Sequence, residues 1–212
     1  MLKVMTRNLF IGADLTSAYE ALTTDGELAN LPAVVREIFN AEEPAGLVQR
    51  SNFPARASAF ADEIDANRPD LIGIQEAPIW RTRDPSEPDA PTQAFDHLAM
   101  LEAEIAKRGL RYRRILVVDN GDVEMPSAAG GTVGLKNRGA ILVREDWGPA
   151  SNPQTKTFDS VLPIATPLGD FVLTARLGVG RCLDQRTVSS LHHDASGGPQ
   201  HAGRVWDPST SS

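Results

Sequence analysis

A chain of 212 residues, 41% of them hydrophobic, holds enough for one large domain or two small ones and is too apolar for disorder. Its net charge of −7, with no long basic run, gives no footprint for binding nucleic acid by broad phosphate neutralisation, although a metal site can supply positive charge locally. The one cysteine, Cys182, excludes an internal disulfide framework, and no apolar run approaches the roughly 20 residues of a membrane helix.

The chain begins with LKVMTRNLF at residues 2–10, a strand-like run that contains Asn8 near its end. No signal-peptide pattern precedes it. The location therefore reads as cytoplasmic by default, with a secreted parent left open. Gly12 gives a turn, and 14–22 reads as a short helix or an irregular segment. Val34, Val35, Ile38 and Phe39 at helical spacing predict a helix over 31–43. Phe53, Ala57, Phe60, Ala61 and Ile64 predict a second, over 49–67, ended by Arg68-Pro69.

Residues 70–76, DLIGIQE, form an apolar strand that ends in Gln75 and Glu76. A helix leading into this strand makes a β-helix-β unit, so the two strands are expected as neighbours. Asn8 and Glu76 then share one rim of a sheet. An amide oxygen beside a carboxylate suits a hard divalent cation such as Mg²⁺, and ligand sites in layered α/β folds favour that rim.

Residues 81–91, rich in proline and charge, read as a rim loop. Phe95, Leu98, Leu101 and Ile105 predict a helix over 93–108, capped by Gly109. A strand over 111–118 is followed by an Asn120-Gly121 turn, a loop over 123–134 and a strand over 139–144. Weaker strands are expected at 157–161 and 170–174. From Leu177 onward no apolar face recurs, and 189–212 is rich in Ser, His, Gly and Pro. The expected division is a partial domain over 1–175 and an irregular or disordered tail over 176–212.

Three stretches carry a resemblance: VMTRNLFIGADL (Val4 to Leu15), PDLIGIQEA (Pro69 to Ala77) and NRGAILVRED (Asn137 to Asp146), with RRILVVDNGDVEMP (Arg113 to Pro126) beside them. Over Leu2 to Thr174 the chain resembles the endonuclease/exonuclease/phosphatase superfamily, the deoxyribonuclease I-like proteins. The resemblance implies a four-layer α/β sandwich and Mg²⁺-dependent hydrolysis of a phosphoester, with Mn²⁺ as an alternative ion. The substrate would be a nucleic acid, a phospholipid or a small phosphoester; no specific protein partner is implied. Glu76 would be a direct metal ligand, and Asn8 would help position the metal or the phosphate.

The chain departs from the family pattern in its second half. The family's N-T-H motif, its G-D-x-N motif and its late Asp-His pair have no counterpart. Gly169-Asp170 imitates the start of G-D-x-N, but Val172 stands where the asparagine belongs, so this reads as an ordinary turn. His192, His193, Asp194 and His201 lack a scaffold that would fix their geometry. Asp119, Asp122 and Glu124 read as a solvated loop. Suitable codons from Ala175, read one nucleotide later, spell RGWVSVVAWTNGQFR, a family-like strand pair; this predicts a frameshift near Ala175. The expected function is a truncated, impaired or inactive hydrolase. The alternative is a non-catalytic fragment or binding module. No G-x-S-x-G elbow supports an α/β hydrolase, and Gly130-Gly131 lacks the Lys-Ser/Thr of a phosphate loop.

Overall fold

The computed structural model describes residues 2–24, 27–42, 44–84, 86, 93–147, 150–164, 171–182 and 187–191. Strand β1 (Val4–Asn8) and strand β2 (Leu71–Gln75) are parallel neighbours, paired from Val4↔Leu71 to Asn8↔Gln75. The crossover between them explains the pairing. Helix α1 (Thr16–Thr23) starts where the Asp14 side chain accepts the Thr16 N–H at 2.9 Å. Helix α2 (Leu31–Ile38) stops earlier than its apolar spacing predicts, because Phe39 turns to extended backbone and stacks on Trp80 at 5.6 Å.

The predicted helix over 49–67 is two helices. Asn52 takes a left-handed φ of 51°, which separates α3 (Leu47–Arg50) from α4 (Phe53–Asn67). Pro54 lies in the first turn of α4, where its missing N–H costs nothing. Phe53, Ala57, Ala61 and Ile64 form its buried stripe and pack against Ile72 and Ile74 of β2.

After β2 the chain forms β3 (Ile79–Arg83) and β4 (Gln93–Asp96), an antiparallel pair. Helix α5 (His97–Lys107) therefore starts four residues after the predicted Gln93. Asp96 fixes the start: its side chain accepts the Ala99 N–H at 3.0 Å. Leu98, Leu101 and Ile105 of α5 join the α4 stripe in one core.

Strand β5 (Tyr112–Pro126) pairs along nearly all of β6 (Thr132–Arg144). The expected Asn120-Gly121 turn and the loop over 123–134 are corrected here. The strand runs through Asn120-Gly121, and the expected loop shrinks to residues 127–131, where Gly130 and Gly131 take φ of 98° and 65° and the chain reverses. Cross-strand bonding to β6 overrides the local turn preference. The other edge of β6 is shared. Its C-terminal half pairs β2 and its N-terminal half pairs β3, which makes a six-stranded mixed sheet. Gly134 has no side chain because Arg81 crosses it; a Cβ there would stand 2.6 Å from the Arg81 Nε.

A three-stranded antiparallel sheet follows: β7 (Ala150–Ile164), β8 (Phe171–Cys182) and β9 (Thr187–Leu191). Strand β8 lies near β5 and β6, and β9 lies near β2. Backbone pairing continues past Leu177, where the sequence shows no apolar face. The architecture is mixed α/β. Among the described residues no helix is long and apolar enough to cross a membrane.

Candidate functional site

The β1–β2 register sets Asn8 opposite Gln75, and Glu76 follows directly. Regular backbone ends at both places. Phe10 and Glu76 take left-handed φ of 61° and 48°, conformations that a non-glycine residue holds only when its surroundings enforce them. The enforcing bonds are visible. The Leu9 N–H donates to the Gln75 carbonyl at 2.9 Å. The Asn8 side-chain oxygen accepts the Phe10 N–H at 2.7 Å, and the Glu76 carboxylate accepts the Ile11 N–H at 3.0 Å. Trp80 fixes the same loop by donating its indole N–H to the Ile11 carbonyl at 2.7 Å. Asn8 is exposed and Glu76 half-buried.

Glu76 lies in the break between β2 and β3, which works as a bulge against β6. From the pair Ile74↔Ala140 to the pair Ile79↔Lys136, five steps across that break face four on β6. One residue is therefore extra in the 75–78 segment. On the opposite edge of β6, Asp119↔Arg138 is followed by Gly121↔Asn137, so Asn120 is extra there. Two bulges thus flank Asn137 and Arg138. Bulges bend a strand and re-aim side chains, and they recur beside functional sites.

Arg138 holds this bend. Its Nε donates to the Ala77 carbonyl at 3.1 Å, and its Nη2 donates to the Asp96 carboxylate at 2.5 Å. In return the Ala77 N–H donates to the Arg138 carbonyl at 2.8 Å. Behind it, His97 is wholly buried. Its ring lies flat on Phe53, with centroids 3.7 Å apart at 2°, and edge-on to Phe95 at 5.3 Å. Burial, helped by the nearby Arg56 charge, pushes its pKa down to about 3; Asp96 opposes that shift and Arg138 adds to it. The imidazole is therefore neutral near pH 7. Arg56 hydrogen-bonds the Leu9 carbonyl and lies 5.4 Å from the centroids of Phe10 and Phe53.

The structure thus brings Asn8 and Glu76 to one corner. Asp119, Asp122 and Glu124 sit on β5 rather than on a loop. Asp119 pairs with Lys136 at 3.1 Å, Asp122 with Arg81 at 2.5 Å, and Glu124 approaches Arg83 at 3.8 Å. These contacts are cross-strand ion pairs. Gly169-Asp170, His192, His193, Asp194 and His201 lie outside the described residues. Sequence reasoning missed Arg138, His97, Arg56 and Asn120. The one signal for Asn120, its Asn-Gly pair, pointed to a turn.

One carboxylate and one amide oxygen are hard donors of the kind Mg²⁺ takes, and Mg²⁺ commonly keeps several waters rather than a full protein cage. Among the described residues the Glu76 Oε1 has no hydrogen-bond partner, so the corner fits such a water-rich ion. No group of three or more His, Cys, Asp or Glu side chains that could enclose a metal is found among the described residues. Two open depressions, of about 310 and 360 Å³, lie elsewhere, at Arg36 and Arg50 and along Lys3 to Arg7. Compared with known proteins, the chain matches no family model, no curated protein and no solved structure.

Proposed function

We propose that the chain is a metal-dependent phosphoester hydrolase of the endonuclease/exonuclease/phosphatase type, on a four-layer α/β sandwich. Its own activity is low or absent, because the motifs of the second half are missing. The observation that supports this is the parallel β1–β2 pairing, which sets Asn8 opposite Gln75 and next to Glu76.

Glu76 would hold Mg²⁺, or Mn²⁺, with Asn8 beside it. A cation bound there supplies Lewis-acid polarisation of a phosphoryl oxygen and charge for the leaving group. The remaining work falls to the chain. The Phe10 and Ile11 N–H groups aim the Asn8 and Glu76 oxygens. Arg138 keeps Ala77, and so the turn after Glu76, in place. Among the described residues no histidine stands beside Glu76 to activate water, since His97 is wholly buried against Phe53 and Phe95. The substrate class is a nucleic acid, a phospholipid or a small phosphoester.

The test is cleavage of a generic phosphodiester by the purified chain, with Mg²⁺ binding followed by calorimetry. Slow turnover at most is expected, and Glu76→Ala should remove both turnover and Mg²⁺ binding. Mg²⁺ binding that survives Glu76→Ala would overturn the reading. A second reading, a non-catalytic binding module, is favoured by the absence of a larger metal-ligating group among the described residues. Ligand binding without any turnover under all metal conditions would select it.

A further inference from the structure

The face of the large sheet turned away from α4 and α5 carries a row of amides at the level of Glu76. Side-chain alternation decides which residues belong to it. Ile72, Ile74, Ala140 and Leu142 pack toward the helices, whereas Leu71, Ile141 and Val143 pack on the other face. Gln75 and Gly139 therefore fall on the second face, and Asn8 joins them through its register with Gln75. Asn120, the extra residue of the β5 bulge, completes the row. A Cβ on Gly139 would stand 3.9 Å from the Asn120 Nδ2 and 3.4 Å from the Ile74 carbonyl oxygen. Exposure falls steadily along the row. Asn8 is exposed, Gln75 half-buried, and Asn120 only 4% exposed.

Neither Nδ2 nor Oδ1 of Asn120 has a hydrogen-bond partner among the described residues. Burying an amide with both ends unmet costs free energy that an apolar side chain there would not cost. Val118, two residues earlier, is such a side chain and is buried. The position is also one that pairing with β6 did not require, since a bulge adds it. Both facts are accounted for if a ligand supplies the missing partners.

We propose that Asn120 is a ligand-binding residue at the inner end of this row. Its Nδ2–H group donates to a phosphoryl oxygen, and its Oδ1 accepts a hydroxyl or P–OH proton, of a phosphoester lying over Gly139 between Gln75 and Asn120. The substrate class rests on the hydrolase reading above; the site itself rests on the bulge and the unmet amide. The nearby cations do not serve this face, because Arg138 is engaged with Ala77 and Asp96, and Lys136 with Asp119. Recognition here is by neutral donors.

Thermal melts of the full chain, with and without inorganic phosphate and Mg²⁺, test the assignment. Phosphate should raise the melting temperature of the parent chain. Asn120→Leu should melt no lower than the parent without phosphate, because an unmet amide is gone. Its phosphate affinity should fall at least about tenfold, because both hydrogen bonds of the amide to the phosphate are lost. Gly139→Val, which fills the space while leaving Asn120 intact, should lose the phosphate shift as well and serves if Asn120→Leu does not fold. A parent chain with no phosphate shift, or a shift kept in either variant, overturns the proposal. Glu76→Ala separates the two readings. If it leaves Mg²⁺ binding intact while the Asn120-dependent phosphate shift persists, the hydrolase reading fails and the amide site stands.

Discussion

His97 and Asn120 lie on opposite faces of one sheet, both close to Arg138, both buried, and neither with a side-chain hydrogen bond among the described residues. The likeness ends there. His97 rests face to face on Phe53 and edge-on to Phe95, so its ring is packed as an aromatic ring. It also escapes charge burial by staying neutral, which is what its depressed pKa of about 3 expresses. An amide has no such escape. Its dipole is the same at every pH, and it has no aromatic partner here. A missing hydrogen bond therefore points to a ligand only where nothing else compensates the buried group, and that condition separates Asn120 from His97.

The largest expected effect tests the His97 side. Its folded pKa lies below the ordinary value of 6.5, so between those limits the unfolded chain binds a proton that the folded chain refuses. Stability is then full above pH 6.5, falls as pH drops toward 3, and levels off below. The whole window is worth on the order of 5 kcal/mol, as much as many domains have in total, so acid unfolding should occur inside it. His97→Phe keeps an aromatic ring on Phe53 and removes the titration. Its melting temperature should stay nearly flat from pH 7 to pH 5 while that of the parent falls. Parallel profiles would place the acid sensitivity in other groups and remove the contrast drawn above.

Arg138 joins the two regions, and Arg138→Met should separate them. The substitution leaves the Ala77 carbonyl and part of the Asp96 carboxylate without their donor. A loss of about 2–3 kcal/mol is expected in urea unfolding, as for other buried charged donors. Hydrogen exchange at the Ile11 and Ala77 amides should quicken at the same time. Arg114→Met, which breaks an exposed pair with Glu102, is the control and should cost less than about 1 kcal/mol. Equal losses in the two variants would show that Arg138 does no more than a surface pair.

What the sequence made legible follows from what each element depends on. Strands β1 and β2 depend on local apolar runs and on a long helical crossover, and both are written in LKVMTRNLF, DLIGIQE and the Phe53-to-Ile64 spacing. The approach of Asn8 to Glu76 follows from those alone. The bulges depend on counting residues against a partner strand, and no single stretch holds that count. Asn120-Gly121 is a turn by composition and becomes strand because β6 offers hydrogen bonds on both sides of it. Strand β3 carries two arginines in five residues, and only its neighbours explain them: Arg81 reaches over Gly134 to Asp122. Arg138 reads as the start of an apolar strand, and its role appears only when Ala77 and Asp96 converge on it from two other elements.

The smallest effect on stability is the most informative about the metal corner. In Glu76→Gln the side-chain carbonyl can still accept the Ile11 N–H, and the left-handed backbone is no worse for glutamine than for glutamate. A change of less than about 1 kcal/mol is therefore expected. The negative charge is lost, so Mg²⁺ binding by calorimetry should disappear although the fold does not move. Such a result would set Glu76 apart from both buried groups. Its hydrogen bond is satisfied and its charge has no neutralising partner among the described residues, so the charge is there for something the chain does not itself supply. A large stability loss in Glu76→Gln, with Mg²⁺ binding retained, would instead make the carboxylate a fastener for the 9–11 loop and leave the demand on this sheet to Asn120, whose amide has both ends unmet among the described residues.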